Sequence, residues 1–325
     1  SMLVTTIPEA MNHGAMLLSR FRAERMSHRG DRVEKLECIA RDDKGQPRSE
    51  ITFTIRARHF VLAAGAIGTP ALILRSRLPD PHRLVGKRTF LHPVNVSAAT
   101  MPEPVEAHAG APQSVYSDHF VWWNGATGRC GYKLEVPPVH PLLAATVAPG
   151  HGQAHRDFMR RFPNLQVVIA LMRDGFHEAS PGGRVEIDAR GDPVIDYPIT
   201  DFIWDGIRRA YLSMAELQFA AGAKAVYPIH EDARHYRSWN EAKREIPRLP
   251  METFHARVVC AHVMGGCAMG DDPGSSVVNS NGRHHGLENL SIIDGSVFPT
   301  SVGTNPQLSI YALAAKQATL LAETL

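Results

Sequence analysis

The sequence predicts an α/β domain formed by both ends of the chain and, between them, an α+β domain with an antiparallel sheet. Near each end, at residues 60–75 and 290–325, a short apolar strand runs into a glycine-containing loop and then a helix. The middle alternates short strands with turn residues and contains one long amphipathic helix. With 325 residues, 44% of them hydrophobic, the chain can fill two cores. We place the domain limits at residues 1–90, 91–255 and 256–325.

Periodicity assigns the elements in chain order. Alternating apolar and polar residues predict strands, and a three-to-four-residue repeat predicts helices. The predicted strands are residues 32–41, 51–56, 60–63, 165–171, 184–188, 194–197 and 290–294. The predicted helices are residues 69–75, 201–221 and 306–325, and residues 8–26 fit a helix that runs into a strand. Thr69 is the expected N-cap of the helix that starts with Pro70, and Asn305 is a candidate N-cap of the last helix.

One histidine near the end of the chain precedes a run of glycines. His262 is followed by Gly265 and Gly266, and glycine lets a backbone approach a planar or bulky group closely. Two further motifs come later: Asp294-Gly295 ends a short apolar strand, and Asn305-Pro306-Gln307 opens the last helix. Each motif is weak alone, but their order and spacing together are specific.

These motifs resemble the C-terminal signature of the glucose–methanol–choline (GMC) oxidoreductases. Residues 61–74, with the core Ala-Gly-Ala-Ile-Gly-Thr-Pro that starts at Ala64, are similar to a second signature of that family. The similarity weakens at Arg77 and Pro79, where many members carry glycine. The resemblance covers nearly the whole chain and is loose between residues 95 and 255. The Gly-Gly pair after His262 is typical of the long-chain-alcohol and sterol oxidase branch.

The resemblance implies an FAD-dependent enzyme that oxidises an alcohol to a carbonyl by hydride transfer to flavin N5. His262 matches the position of the base, and Asn305 matches its partner, whose amide would hydrogen-bond the alcohol oxygen. The positive end of the helix at Pro306 would favour the anionic reduced flavin. The residues implied at the cofactor are Ala64 and Gly65 near the adenine, Asp294 and Gly295 near the pyrophosphate and ribityl chain, and Asn305, Pro306 and Gln307 along the isoalloxazine edge.

The sequence contains no Gly-x-Gly-x-x-Gly motif, which cradles the FAD pyrophosphate in members of the family. We therefore expect the FAD-binding domain to be incomplete. The alternative function is a truncated or split fragment that is not catalytic without an N-terminal FAD-binding segment. The expected partners are that segment and a small, apolar alcohol. The specific alcohol, the electron acceptor, the choice between oxidase and dehydrogenase, and the oligomeric state stay open.

Composition argues against several other classes of function. The 35 basic and 33 acidic residues give a net charge of +2, which offers no reason to expect nucleic acid as a partner. No stretch approaches the roughly 18 apolar residues of a membrane span, and residues 1–10 lack the layout of a signal peptide. We expect a soluble, cytoplasmic protein and leave peripheral membrane contact open. Cys260, His262 and Cys267 lack the spacing of a zinc site, so we expect no metal.

Three features leave two interpretations each. His92-Pro93 is either similar to a Leu-His-Pro motif of the long-chain-alcohol and sterol branch or a structural turn. Asn305 either caps its helix or reaches the active site. A group of aromatic residues either lines an apolar substrate pocket or packs as ordinary core. That group is Tyr116, Phe120, Trp122, Trp123 and Phe176.

Overall fold

The computed structural model describes residues 2–111, 113–148 and 150–325. The strands are β1 (Phe21–Arg29), β2 (Arg32–Arg41), β3 (Pro47–Ile55), β4 (Phe60–Leu62), β5 (Lys87–Phe90), β6 (Val94–Thr100), β7 (Tyr116–Ser117), β8 (Tyr132–Glu135), β9 (Leu165–Met172), β10 (Gly183–Ile187), β11 (Pro193–Asp196), β12 (Ala225–Pro228), β13 (Met264–Gly265) and β14 (Leu290–Ile292). The helices are α1 (Thr6–Asn12), α2 (Gly65–Ser76), α3 (Pro141–Val147), α4 (Gly152–Arg160), α5 (Asp201–Ala220), α6 (Trp239–Glu245) and α7 (Gln307–Ala322). Short 3-10 turns lie at Met2–Val4, Phe162–Asn164, Ile246–Arg248 and Gly295–Val297.

The middle of the chain forms the predicted antiparallel sheet, with five strands in the order β12-β6-β9-β8-β7. One face of β9 packs with α5 in a core that includes Val168, Ala170 and Met172. The opposite face carries the intervening residues, from Leu165 to Leu171, and lines a cavity. Because β9 is covered on both faces, its sequence is apolar without alternation.

Helix α5 confirms the predicted amphipathic helix and packs its apolar face under this sheet. Ile207 and Met214 are fully buried, as the three-to-four-residue spacing predicts. Leu217 differs, because its side chain is 44% exposed near the end of the helix. The helix ends where Gly222 takes a φ of +92°, a backbone conformation that favours glycine.

The two ends of the chain meet in an α/β arrangement. β4 and β14 form a parallel pair in which Leu290, Ser291 and Ile292 align with Phe60, Val61 and Leu62. Helix α2 follows β4, and its apolar residues share a core with both strands. Strands β1, β2 and β3 form an antiparallel sheet, which confirms the predicted hairpin over residues 32–41 and 51–56.

A further sheet draws its strands from all three predicted segments, in the order β11-β10-β5-β13. It includes the predicted hairpin over residues 184–197. It also pairs β5 with β13, so residues 87–90 lie beside residues 264–265. The domain limits at residues 90 and 255 therefore stay a prediction, since this sheet connects the segments on both sides of them.

Two helix starts differ from the prediction. α2 begins at Gly65, four residues before the predicted N-cap; Asp294 accepts from the Gly65 N–H at the start of the helix, and the Thr69 hydroxyl inside the helix also bonds Asp294. α7 begins at Gln307, and Pro306 occupies the N-cap position without a side-chain hydrogen bond. Near the N-terminus, the expected helix over residues 8–26 is short: α1 ends at Asn12 and β1 begins at Phe21. In the described ranges, no helix has both the length and the apolar character needed to cross a bilayer.

Candidate active site

Two antiparallel segments, residues 90–94 and 259–264, hold the predicted base. They are joined at both ends, because Phe90 pairs with Met264 and Val94 exchanges backbone hydrogen bonds of 2.8 and 2.9 Å with Val259. The residues between these pairs face each other. The Nδ1 atoms of His92 and His262 lie 3.1 Å apart, and the ring centroids lie 5.2 Å apart. His92 therefore belongs to the site and is more than a structural turn.

The glycines after His262 allow close contact with other parts of the protein. The sequence alone suggests close contact with a bound group instead. Gly265 has a φ of +82°, and a Cβ placed there would lie 2.0 Å from the carbonyl oxygen of Arg88. Gly266 has a φ of +95°, and its Cβ would approach Pro70 at 3.2 Å. The glycines are thus required for the chain after His262 to lie against β5 and α2.

His262 lines a cavity of about 340 Å³ between the antiparallel sheet and α3. Its walls are mainly aliphatic, from alternate residues of β6 and β9 and from α3, and Glu135 lies at the same cavity. The aromatic residues that the sequence offered as a possible pocket lining do not line this cavity. Trp122 and Trp123 are about half exposed, and Trp122 packs edge-on against Phe176.

A buried ion pair on β8 binds Asn305, and sequence reasoning did not find it. Lys133 Nζ lies 3.2 Å from Glu135 Oε1 and donates to Asn305 Oδ1 at 3.1 Å. Asn305 Nδ2 donates to Glu135 Oε2 at 3.2 Å. Glu135 is 2% exposed, so its negative charge and both of its carboxylate oxygens need such partners. The available signal was two opposite charges alternating with the apolar residues Tyr132 and Leu134.

Asn305 therefore belongs to the site and does not cap α7. Both ends of its amide bond the ion pair on β8, whereas α7 has no side-chain cap. Since Glu135 lines the same cavity as His262, the network brings the two predicted catalytic residues to one site. Their catalytic roles stay a prediction.

The electrostatic environment keeps the His262 imidazole neutral. Burial lowers the pKa of His262 below its usual range; the Glu135 carboxylate opposes this shift and the Lys133 ammonium adds to it. Burial lowers the pKa of His92 more strongly, to about 3, with smaller contributions from His262 and Lys133. Both rings are consequently uncharged at neutral pH, and His262 can accept a proton there.

The residues predicted near the adenine and the pyrophosphate meet where the segment after β14 contacts the start of α2. Asp294 accepts hydrogen bonds from the backbone N–H of Gly65 at 2.9 Å and from the Thr69 hydroxyl at 2.6 Å. Ala64, just before α2, is exposed. A Cβ on Gly295 would lie 3.2 Å from the Ile310 side chain of α7, so this position packs closely against the last helix. The two predicted pairs, Ala64-Gly65 and Asp294-Gly295, thus form one surface.

This surface continues to the base and to the start of α7. The Gly295 Cβ position lies 3.7 Å from the carbonyl oxygen of Val263, the neighbour of His262. At the first turn of α7, Gln307 and Leu308 are exposed and no side chain caps the helix. Its free N–H groups and positive end are suited to an anionic ring or phosphate. The residues present therefore fit a flavin cofactor at α7, and the positions of Pro306 and Gln307 along its ring stay a prediction.

The cysteines near the base do not form a metal site in the described part of the chain. Cys260 is exposed and lines the cavity, whereas Cys267 is fully buried in the core of the α/β part. Across the described ranges, no three His, Cys, Asp or Glu side chains lie close enough together to bind a metal ion.

Comparison with known proteins identifies two matching family models, both described as GMC oxidoreductase. The N-terminal model matches residues 1–94, and the C-terminal model matches residues 179–314. An uncharacterized GMC-type oxidoreductase of Sinorhizobium fredii is 27% identical over 97% of this chain and 58% of its own length. Long-chain-alcohol oxidase FAO4A of Arabidopsis thaliana is 26% identical over 82% of this chain and 37% of its own length. Paromamine 6'-oxidase of Streptomyces fradiae is 28% identical over 97% of this chain and 54% of its own length.

Solved structures show the same fold. Formate oxidase of Aspergillus oryzae, in a structure described for its FAD modification, has a TM-score of 0.64 at 15% identity, with 94% of this chain and 60% of that chain covered. Pyridoxine 4-oxidase has a TM-score of 0.61 at 19% identity, with 93% of this chain and 57% of that chain covered. This chain spans about half the length of the curated relatives it matches.

Proposed function

This chain belongs to the GMC oxidoreductase family, and from that membership we propose that it takes part in the FAD-dependent oxidation of an apolar alcohol to a carbonyl compound. The observation that carries the proposal is the aliphatic cavity of about 340 Å³ that also presents His262 and Glu135. An apolar chain would lie between the aliphatic walls, and its hydroxyl group would lie at the polar end.

FAD is the cofactor of this family, and when bound it would supply, at N5, the acceptor for the hydride that leaves the alcohol carbon. The side of the site at α7 would hold the isoalloxazine ring, with residues 305–307 along its edge. Ala64 and Gly65 would lie near the adenine, and Asp294 and Gly295 near the pyrophosphate and ribityl chain. The uncapped first turn of α7 supports this placement.

His262 is the proposed acceptor of the hydroxyl proton. The hydride takes both electrons of the C–H bond, so the O–H electrons form the carbonyl bond and the proton needs a base. A neutral imidazole suits this step, and burial keeps the pKa of His262 low enough for it. Glu135 is the less suitable acceptor, because Lys133 and Asn305 already bind its two oxygens.

Asn305 is the proposed hydrogen-bond donor to the alcohol oxygen. Its Nδ2 carries two hydrogens, and one of them goes to Glu135. The other makes no hydrogen bond to a described residue, and we propose that it bonds the alcohol oxygen beside Glu135. Lys133 and Glu135 fix the amide at both ends, so the donor is oriented before the alcohol binds.

The cavity favours a long-chain alcohol over a sugar. The aliphatic walls offer few partners for the several hydroxyl groups of a sugar, and burying unpaired hydroxyl groups is costly. The similarity to long-chain-alcohol oxidases is consistent with this choice. A screen of alcohols with an artificial electron acceptor, run with and without oxygen, tests the substrate class and separates an oxidase from a dehydrogenase.

Replacement of the base tests the mechanism. In FAD-loaded protein, His262→Ala is expected to slow flavin reduction by the alcohol about 100- to 10,000-fold, the usual contribution of a general base. Stopped-flow loss of flavin absorbance measures this rate. The matched control is His151→Ala, since His151 is exposed and does not line the cavity. An unchanged rate in His262→Ala would remove it as the base.

The alternative function keeps the same chemistry but requires further polypeptide. It is supported by the lack of a Gly-x-Gly-x-x-Gly motif in this sequence. Flavin absorbance of the purified chain, before and after addition of FAD, separates the two proposals. If the chain binds FAD and alcohol reduces the bound flavin, the chain alone is sufficient for the reaction. If the chain stays colourless with FAD, it needs a partner segment.

A further inference from the structure

We propose that His92 is a positioning residue for the base: its Nδ1 accepts a hydrogen bond from the Nδ1–H of His262 and so leaves the lone pair of His262 Nε2 free for the alcohol proton. The inference rests on the proposed function, in which His262 is the base. It adds a second imidazole to the machinery and assigns the hydrogen between the two rings.

The backbone around both histidines fixes this contact. The ladder between residues 90–94 and 259–264 is closed by Met264 against Phe90 at one end and by Val259 against Val94 at the other. His92 and His262 lie between these two connections. Their Nδ1 atoms are 3.1 Å apart, within hydrogen-bond distance, and their ring planes are inclined by 34°.

A buried carboxylate holds the backbone of His92 in place. His92 is fully buried and has a φ of +52°, which is uncommon for a residue other than glycine. Asp174 Oδ2 accepts from the N–H of Leu91 at 3.2 Å and from the N–H of His92 at 3.3 Å. The Tyr197 hydroxyl donates to the same oxygen at 2.7 Å. Asp174 thus stabilises a backbone conformation that directs the imidazole of His92 towards His262.

Only one hydrogen can lie between the two Nδ1 atoms. A neutral imidazole has one N–H and one lone pair, so one ring donates and the other accepts. If His92 were the donor, His262 would carry its hydrogen on Nε2 and could not accept a proton there. If His262 is the donor, its Nε2 is a lone pair, and its Nδ1–H still bonds His92 after the proton has arrived. The base therefore requires His92 as the acceptor, in the way that a third group orients the histidine of a catalytic triad.

A neutral acceptor also suits the charges around the pair. A carboxylate at this position would raise the pKa of His262, whereas a neutral imidazole exerts no such attraction on the proton. Burial lowers the pKa of His92 to about 3, so His92 does not compete for the proton. The ionisable groups on the elements packed around the pair are Lys133 and Glu135 on β8, Asp174 after β9, Tyr197 after β11 and Cys260 on the His262 segment.

The hydrogen assignment can be tested without FAD or alcohol. Long-range ¹H–¹⁵N NMR of the histidine-labelled chain shows which ring nitrogen carries the hydrogen, and His262→Ala identifies the signals. We expect His262 with hydrogen on Nδ1 and His92 with hydrogen on Nε2, although His92 Nε2 is buried without a hydrogen-bond partner among the described residues, which is a cost of this form. Neutral His262 with its hydrogen on Nε2 would overturn the inference.

Two variants of His92 distinguish the loss of the hydrogen-bond acceptor from an effect on the backbone. His92→Asn keeps an acceptor oxygen and tolerates a positive φ, so the Nδ1–H form of His262 should persist. His92→Gly also tolerates this backbone but removes the acceptor, and His262 should become a mixture of both neutral forms. The control is His284→Ala, since His284 is a buried histidine beside a different cavity. An unchanged His262 signal in His92→Gly would also overturn the inference.

Kinetics distinguish this inference from the proposed function. In FAD-loaded protein, His92→Gly should lower the kcat for alcohol oxidation about 10- to 100-fold with little change in KM, and His92→Asn should restore most of it. Full kcat in His92→Gly would overturn the inference and leave the proposed function intact. The expected NMR result in FAD-loaded protein that oxidises no alcohol would support the hydrogen assignment and refute the proposed function.

Discussion

Replacing Asp294 tests whether this carboxylate stabilises the fold in addition to its predicted place at the cofactor. It accepts three hydrogen bonds, from the Gly65 N–H at 2.9 Å, the Thr69 hydroxyl at 2.6 Å and the Ser296 N–H at 2.7 Å. A hydrogen bond to a charged group contributes about 1.5–3 kcal/mol when buried, and water replaces part of this at a half-buried site. With about 1 kcal/mol for each bond, Asp294→Ala should lower the unfolding free energy by about 3 kcal/mol.

Urea unfolding of the chain without FAD measures this difference. For a slope of about 3 kcal/mol per molar urea, the midpoint should fall by about 1 M. The matched control is Asp196→Ala, which removes an exposed ion pair with Arg184 and should cost less than about 1 kcal/mol. An unchanged midpoint in Asp294→Ala would refute the structural role and leave only the cofactor role.

Three further predictions concern the cavity, the pH profile and the glycines. Val259 lines the cavity and is 44% exposed, so Val259→Phe should lower kcat/KM for long-chain alcohols about 10-fold or more and leave kcat/KM for short alcohols unchanged. The control is Val194→Phe, since Val194 is 45% exposed and lies outside the cavity; it should change kcat/KM for neither class of alcohol. Because the pKa of His262 is lowered, the flavin-reduction rate should be constant near pH 7. The rate should fall as the imidazole is protonated, at a pH below the usual histidine pKa of about 6.5. An inflection of the rate above pH 7 would contradict this. Gly265→Ala should lower the melting temperature more than Gly45→Ala, since both glycines have positive φ but only Gly265 lacks room for a Cβ; equal losses would refute the steric argument.

Local pattern was sufficient for several elements, whether or not one of their faces is buried: β10 buries Val185, whereas all four residues of β11 are exposed. The alternation in β2, β3, β10 and β11 and the helical period of α5 gave elements close to those observed. The motifs around His262 and Asn305 led to the site because their order along the chain is specific. The family membership inferred from them is confirmed by matches over residues 1–94 and 179–314.

Sequence could not reveal features that depend on long-range register. Lys133 and Glu135 reach the site because β8 pairs with β9, and nothing near them in the chain specifies that pairing. His92 faces His262 only because β5 pairs with β13. The start of α2 was placed too late, since the N–H of its first residue, Gly65, bonds Asp294 from the far end of the chain, a contact that local capping rules do not consider.

The ladder that joins His92 to His262 has a consequence for folding. The two residues are 170 positions apart, so their contact closes a long loop and is made only after distant strands have found each other. Partly folded chains that have formed only local hairpins, such as β1–β2 or β10–β11, contain no oriented base. Catalytic competence should therefore appear late in refolding, after most of the local secondary structure has formed.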